Sequence, residues 1–357
     1  KAIEFNRGVG ALRLWIGLDG AAVEQLTADV RLRNVSTRLA ADRPELDLSS
    51  LQGRVGWKKT DGADGGGELF TRQLSAAIRG GLVLPPVDFL LQTVPAREGK
   101  SGSGKLNVSA LDLGVLMNLA EYLPLHKPLR ERLNQLSPHG VIHEMQAKWD
   151  DQNVDAPLPA RFSVKGRFTS LGMKKFEKIP AFSGISGNID GTEKGGTLNL
   201  SSQKTSVELL EVFREPLALD TLTAQASWKS LGKGSTELKF SNISFANSHA
   251  AGIVYGSYRT VPGGPGVIDL VGNLTRADAR HVARYMPLVV NQATRDWLEK
   301  SIVAGESSDV RLRLKGDLVE FPFVREGSGL FQVSAKATKG VLDYVPGWPG
   351  PSRCHLR

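Results

Sequence analysis

The alternating stretch Val310-Arg-Leu-Arg-Leu-Lys315 decides the fold class of this chain. Apolar residues occupy every second position of the stretch, and arginine or lysine occupies the positions between them. Because successive side chains of a β-strand point to opposite faces of the sheet, a period of two predicts a strand with one apolar and one polar face. Strands of this kind are typical of antiparallel sheets with one solvated face.

The same alternation recurs along most of the chain, and few helical patterns separate the alternating segments, which argues against parallel β-α-β units. We therefore predict a mostly β fold: an elongated, curved antiparallel sheet that forms an apolar groove, with two short amphipathic helix pairs, in about two tandem repeats. The residues that we expect to line the groove are Leu12, Leu14, Ile16, Val30, Leu32, Phe162, Val164, Leu198, Leu200, Leu238, Phe240, Val310, Leu312, Leu314, Phe331 and Val333.

Two passages of the sequence occur twice. Asn107-Val-Ser-Ala-Leu-Asp112 returns 166 residues later as Asn273-Leu-Thr-Arg-Ala-Asp278. The leucines and the tryptophan of a second passage, which begins at Pro44 and reaches Trp57, return at an offset of 171. A long repeated unit is typical of an elongated architecture. We predict a first β repeat at 1–150, a second at 151–320, and the start of a further, truncated strand unit at 321–357.

The helices are predicted inside the duplicated passage, near 109–136 and near 275–303. Ser109 and Thr275 each precede an aspartate by three residues, a spacing that resembles a capping box and predicts a helix start. Amphipathic helices beside an apolar sheet face are candidates to plug or line the groove. The residues predicted for that role are Leu113, Leu116, Met117, Val282, Met286, Trp297 and Leu298.

Composition limits the possible functions. The 357 residues carry a net charge of +8, 41% hydrophobic residues and one cysteine, Cys354, so no disulfide forms within the chain. The basic residues are spread along strands and do not form a block, which favours solvated strand faces over a nucleic-acid site. The sequence contains no signal peptide and no run of 18 apolar residues. We expect any transmembrane anchor to lie outside this sequence.

The sequence offers little catalytic chemistry. Gly99-Lys-Ser-Gly-Ser-Gly104-Lys105 has the spacing of a phosphate-binding loop, but a leucine follows and the next residues alternate like a strand. His139 and His143 do not form a zinc-binding helix motif. The tryptophans resemble packing anchors more than base-stacking platforms. We therefore predict no enzyme activity, no metal, no cofactor and no nucleic-acid partner.

A wide apolar sheet face has to be covered, because soluble proteins seldom expose more than a few hundred Å² of contiguous apolar surface. Four short helices are too few to cover such a face. Moving a 16-carbon acyl chain from water into an apolar groove gains about 10 kcal/mol, at about 0.8 kcal/mol per CH₂ group. A groove that is alike at every position would let such a chain slide, and phospholipid is therefore the predicted partner.

The sequence also resembles a known family. Asn273-Leu-Thr-Arg-Ala-Asp278, Thr294-Arg-Asp-Trp-Leu298 and Leu312-Arg-Leu-Lys-Gly-Asp-Leu318 are similar to the central region of the YhdP-like members of the AsmA-like family, whose relatives include TamB and YdbH. The resemblance implies a periplasmic protein of Gram-negative envelopes, anchored in the inner membrane. It implies a long β-groove that takes part in moving phospholipid toward the outer membrane. It brings no catalytic residues.

Two other functions stay open at this stage. The first is an envelope scaffold whose groove is filled by protein, including other envelope proteins, so that no lipid moves. The second is an enzyme that acts on a polymer along a β-helix-like surface, against which stands the lack of clustered carboxylates.

Overall fold

The computed structural model describes residues 4–60, 65–97, 100–123, 125, 127–152, 159–176, 179–344 and 353–356. The chain divides into two compact units. The first contains Lys1–Phe176 and Asn188–Glu193, and the second contains Glu177–Gly187 and Lys194–Arg357. These units are defined by contacts and not by sequence similarity, so the repeat boundaries at 150 and 320 stay a prediction.

The first unit is an antiparallel sheet in which each strand pairs with the strand that follows it in the chain. Among the described residues, β1 pairs only with β2, which leaves one edge of this sheet open. The elements are β1 Glu4–Asp19, β2 Ala22–Arg38, β3 Leu46–Lys59, β4 Gly67–Ile78, β5 Val83–Val94, β6 Gly102–Asp112, α1 Leu113–Ala120, α2 Lys127–Leu136, β7 His139–Gln152 and β8 Arg161–Met173.

The second unit is built in the same way, and strand β9 contributes residues to both units. Its elements are β9 Ala181–Thr192, β10 Gly195–Glu208, β11 Leu217–Gly232, β12 Ser235–Ala246, β13 Ala250–Arg259, β14 Val267–Asp278, a 3₁₀ helix Ala279–Tyr285, α3 Gln292–Ser301, β15 Ile302–Asp317, a 3₁₀ helix Leu318–Glu320, β16 Gly329–Asp343 and β17 Arg353–Leu356. The mostly β, antiparallel fold class with few short helices is thus confirmed. The groove and the tandem repeats stay predictions.

The predicted helix starts are wrong by three residues. Ser109 and Thr275 lie within strands β6 and β14, and the aspartate that ends each strand is the N-cap. Asp112 accepts a hydrogen bond from the backbone N–H of Val115 at 3.1 Å. Asp278 accepts one from the N–H of Arg280, also at 3.1 Å. Aspartate is among the best N-cap residues. The last residue of each strand is therefore also the N-cap of the helix that follows it.

The main core of the first unit lies under α1. Buried side chains from strands β2 to β6 meet Val115 of this helix. Burial of such side chains stabilises a fold by roughly 1.5–3 kcal/mol each, so this cluster fixes the helix to one end of the sheet. The buried members are Val35, Leu46, Leu48, Ala76, Leu84, Val87, Val108 and Val115, and partly buried neighbours include Leu51, Leu74, Phe89, Leu119 and Tyr122.

Candidate functional site

An apolar row crosses the sheet of the first unit at right angles to the strands. In an antiparallel pair, residues directly opposite each other share one face of the sheet, so the strand register places the whole row on one face. At a strand spacing of about 4.8 Å the row spans roughly 34 Å. Its members, in spatial order from β1 to β8, are Ile16, Leu26, Trp57, Leu69, Leu91, Leu106, Ala147 and Val164. We call it the first apolar row.

Four neighbouring members of this row are open to solvent. Ile16 is 53% exposed, Leu26 39%, Trp57 37% and Leu69 41%. Leu12, Leu14 and Leu18 on β1 are exposed as well. Isolated exposed apolar side chains are normal, but a contiguous set on one face marks an interaction surface.

The opposite end of the same face is closed. Strands β2, β3 and β4 run from the open row into the core beneath α1, where Leu48 is only 4% exposed. A positive-φ residue, Asn34, interrupts the alternation of β2, and Leu32 and Val35 on either side of it both pack on the same core cluster. The apolar face of the first unit therefore has a half covered by helix and an open half.

The second unit contains a matching feature, which we call the second apolar row. Its members, from β10 to β16, are Leu198, Ala226, Phe240, Gly256, Leu270, Leu314 and Phe331. Six strand spacings of about 4.8 Å give it a length of roughly 29 Å. Apart from Gly256, which has no side chain, every member is apolar.

One end of the second row is lined by aromatic side chains. The rings of Phe321 and Phe331 lie 5.3 Å apart, and those of Phe321 and Phe323 lie 5.4 Å apart. Phe323 covers Gly316, where its ring comes within 2.7 Å of the position that a Cβ atom would occupy. Gly316 also has a φ of +144°, a conformation that favours glycine. Glycine at this position thus leaves room for the phenylalanine ring against the strand.

The opposite face of the first unit carries polar and charged pairs, with a few apolar side chains such as Phe70 and Leu90 among them. The guanidinium of Arg54 donates to the carboxylate of Asp29, with 2.9 Å between Nη2 and Oδ2, and this hydrogen bond lowers the pKa of Asp29. Arg54 also lies 5.5 Å from the ring centre of Trp15. A tryptophan on this face is therefore engaged by a cation.

A depression of about 820 Å³ lies mainly on the polar face of the first unit, and three carboxylates line it. Each carboxylate is already engaged. Glu68 accepts a hydrogen bond from Gln92, Asp88 accepts one from Gln73, and Glu144 forms an ion pair with Arg167. These contacts hold the three carboxylates in place on this face.

Within the part of the chain that the structure describes, no group of three or more His, Cys, Asp or Glu residues is arranged to hold a metal ion. Strand β6 starts at Gly102, so the residues after the phosphate-loop-like sequence form a strand and not the helix that such a loop opens.

The strand residues predicted to line the groove fall on the apolar faces of the two units. Ile16 and Val164 belong to the first apolar row, and Leu198, Phe240, Leu314 and Phe331 to the second. Other predicted residues are cross-strand partners of apolar or glycine residues: Leu12 with Val30, Leu14 with Ala28, Leu32 with Leu51, Phe162 with Trp149, Leu200 with Ala224, Leu238 with Trp228, Val310 with Leu274, and Leu312 with Gly272 and Val333. Whether they bind acyl chains stays a prediction.

Sequence reasoning missed six of the eight members of the first apolar row, the small Ala147 among them. Leu26, Trp57, Leu69, Leu91 and Leu106 were not predicted as lining residues. Leu69 follows a glycine-rich loop, and Leu91 belongs to a continuous apolar run that does not show its face. Periodicity is informative only where polar residues occupy the alternate positions.

The helix residues predicted as plugs differ in how deeply they are buried. Helix α1 reaches the core through Val115 and Leu119, whereas Leu113, Leu116 and Met117 are half-buried and lie outside that cluster. In the second unit Val282, Met286 and Leu298 are half-buried as well. Trp297 is 40% exposed and packs edge-on against Tyr344 at 6.3 Å. Their role as plugs stays a prediction.

None of the helices seen among the described residues combines the length and the apolar character needed to cross a membrane. The family model described as the YhdP protein matches residues 1–350 of the chain. The chain has no match among curated proteins and none among solved structures.

Proposed function

The chain belongs to the YhdP family, and on that premise we propose that it is a segment of a periplasmic conduit that transfers phospholipid between the two membranes. The acyl chains would lie along the two apolar rows, with the headgroups in water. The sheet would curve around them as a groove in about two tandem repeats. In the full-length protein an inner-membrane anchor would hold the conduit in the envelope.

One observation carries this proposal, namely the open half of the apolar face in the first unit. Ile16, Leu26, Trp57 and Leu69 form an unbroken series across four strands, and each is more than one-third exposed. Removing apolar surface from water is favourable by roughly 25 cal/mol of free energy for each Å², so this surface favours an apolar occupant. A row of near-equivalent apolar side chains offers no single preferred position, which suits passage better than storage.

The chemistry of the described residues agrees with transfer without reaction. The carboxylates that line the polar depression are engaged by neighbours, as described above, and the apolar rows carry no ionisable group. A conduit needs only a continuous apolar surface and a polar outer face. The alternation of the strands supplies both, because it sends Leu26 to one face and the adjacent Gln25 to the other.

A scaffold is the alternative that the structure also accommodates. In the first unit helix α1 already covers one end of the apolar face, which shows that protein can occupy this surface. If further helices from other envelope proteins covered the open half, the sheet would hold proteins together and move no lipid.

Site-specific photocrosslinking separates the two functions. A photoreactive amino acid is placed at Leu26 in one variant and at Gln25 in the other, in the protein expressed in Gram-negative cells. These residues are adjacent and exposed, and they lie on opposite faces. We expect the Leu26 variant to capture phospholipid at least several-fold more than the Gln25 variant, with the adducts identified by mass spectrometry.

Equal lipid capture at both positions would contradict the proposal, because it would show no preference for the apolar face. Capture of protein alone at Leu26 would support the scaffold. Native mass spectrometry of the purified chain gives an independent check, since a conduit should retain phospholipid through purification.

A further inference from the structure

Two histidines are stacked at the helical end of the second unit. The rings of His249 and His281 lie 3.6 Å apart between centroids and are inclined by only 10°. His249 belongs to the turn between β12 and β13, whereas His281 belongs to the 3₁₀ helix Ala279–Tyr285. The stack therefore joins a turn of the sheet to the helical segment 279–301 that follows β14.

Hydrogen bonds around Tyr285 strengthen the same junction. The side-chain amide of Asn247 donates to the Tyr285 hydroxyl at 2.9 Å, and the Nδ1 atom of His249 lies 3.1 Å from that hydroxyl. When the phenol accepts from Asn247, its own hydrogen is free to be donated to Nδ1 of His249. That arrangement requires His249 to be neutral with its proton on Nε2.

The charged groups around the stack favour a neutral His249. Arg276 on β14 donates to the carbonyl oxygens of Asn247 and Ser248, and Arg284 on the 3₁₀ helix forms a 3.0 Å ion pair with Glu215 of the β10–β11 loop. Burial is the main cause that lowers the pKa of His249, and the positive charges of His281, Arg284 and Arg276 lower it further, against the opposing effect of Asp278.

His281 has a different environment. Its Nδ1 atom is buried, makes no hydrogen bond to the described residues, and lies 3.4 Å from a carboxylate oxygen of Asp278. The same carboxylate accepts from Arg280, whose charge is also influenced by Glu306 of β15. A proton on His281 would thus face a carboxylate, whereas a proton on His249 would face a stacked ring, a tyrosine and two arginines.

From this geometry we propose that the His249–His281 stack is an acid-sensitive latch, which holds the helical segment 279–301 on the second unit near neutral pH and releases it when His249 is protonated. A positive charge on His249 would lie against the stacked ring and near Arg276 and Arg284. Protonation of His249 also takes away the acceptor for the Tyr285 hydroxyl. The latch is a property of the second unit and does not depend on lipid transfer.

The direction of the pH effect follows from the lowered pKa of His249. Above the ordinary histidine pKa of 6.5 both the latched and the released states keep this ring neutral, and the latch is at full strength. As the pH falls below 6.5, the released state binds a proton that the latched state resists, and the latch weakens. Once the pH is below the lowered pKa, the ratio of released to latched molecules should have risen about tenfold for each unit by which the pKa is lowered.

Hydrogen exchange measured by mass spectrometry tests the latch on the whole chain. Peptides covering 279–301 are compared at pH 7.5 and 5.0, with rates corrected for the intrinsic pH dependence of exchange. We expect these peptides to exchange at least several-fold faster at pH 5.0, and the peptide covering α1, 113–123, to be unchanged. His249→Phe keeps a ring in the stack but cannot be protonated, so its protection should not depend on pH.

The control variant is His143→Phe on β7, a histidine that bonds Thr169 at 2.7 Å and lies outside the latch. It should keep the full acid response. The proposal is overturned if wild-type protection at 279–301 does not change with pH, or if His249→Phe responds like the wild type. Should His249→Phe not fold, NMR titration of the wild type decides, and a His249 midpoint at or above that of free histidine overturns the latch.

Discussion

The helical segments that follow the two aspartate caps make different contacts; we call α1 the first cover and the segment 279–301 the second cover. In the first unit α1 is capped by Asp112 and packs through Val115 into a core of aliphatic side chains. In the second unit a 3₁₀ helix capped by Asp278 is held through Tyr285, Asn247 and stacked imidazoles. Similar sequence passages thus anchor the first cover in a buried aliphatic cluster, whereas the second makes hydrogen bonds and a ring stack with the β12–β13 turn.

The N-cap therefore depends on residues close in sequence, whereas the contacts that hold each cover depend on distant strands. An aspartate at the end of a strand starts a helical turn in both passages, because its carboxylate accepts from the first free N–H groups. The contacts that fix the helical turn come from elsewhere in the chain. Leu46 and Leu48 pack in the cluster that includes α1, and Asn247 and His249 contact the 3₁₀ helix of the second unit.

The largest expected effect comes from the apolar core of the first cover. Leu48→Ala should destabilise the first unit by about 2–5 kcal/mol, because it leaves a cavity in a buried cluster. Leu219, which stands 171 residues later in the second copy of the passage, is only half-buried. Leu219→Ala should therefore cost roughly 1 kcal/mol in the second unit. Urea unfolding followed by hydrogen exchange of peptides from each unit measures both losses, and equal losses would break the comparison.

A smaller effect is expected from the two tyrosines that follow the caps. Tyr285→Phe removes the hydroxyl that bonds Asn247 and His249, and should destabilise the second cover by about 1 kcal/mol. Tyr122 holds the corresponding place in the first unit, where it packs on the core and makes no side-chain hydrogen bond with the described residues. Tyr122→Phe should change stability by less than about 0.5 kcal/mol. The same urea experiment compares the two variants, and a larger loss from Tyr122→Phe would contradict a polar second cover.

A further effect is confined to strong acid. The guanidinium of Arg280 lowers the pKa of Asp278 to about 2, from an ordinary value of 3.8. The stability that the ionised Asp278 carboxylate gives the second cover is therefore complete above pH 3.8 and is lost as the pH falls through about 2. Asp278→Asn should be less stable than the wild type at pH 5, with the gap closing between pH 4 and pH 2. A gap that stays constant over that range would show that the carboxylate charge has no part in the cover.

Much of the fold was predictable where polar and apolar residues alternate without interruption. Val310, Leu312 and Leu314 are flanked by charged residues, and the structure places all three on one strand face. Prediction failed where the alternation is hidden. Leu91 lies in an apolar run, and the bulge at Asn34 separates Leu32 and Val35 by three positions although both pack on one cluster. The stacked histidines left no signal in the sequence, since 32 positions separate them.

The sequence alone predicted antiparallel strands with one apolar and one polar face, and a helix in each copy of the repeated passage, although it placed each helix start three residues too early. These features depend on neighbouring residues, because the pleat and the cap act within a few positions of the chain. Only the tertiary structure decided which half of the apolar face is buried under α1 and which half, from Ile16 to Leu69, stays open. Burial depends on side chains brought together from distant strands, and strand register with its bulges sets those meetings.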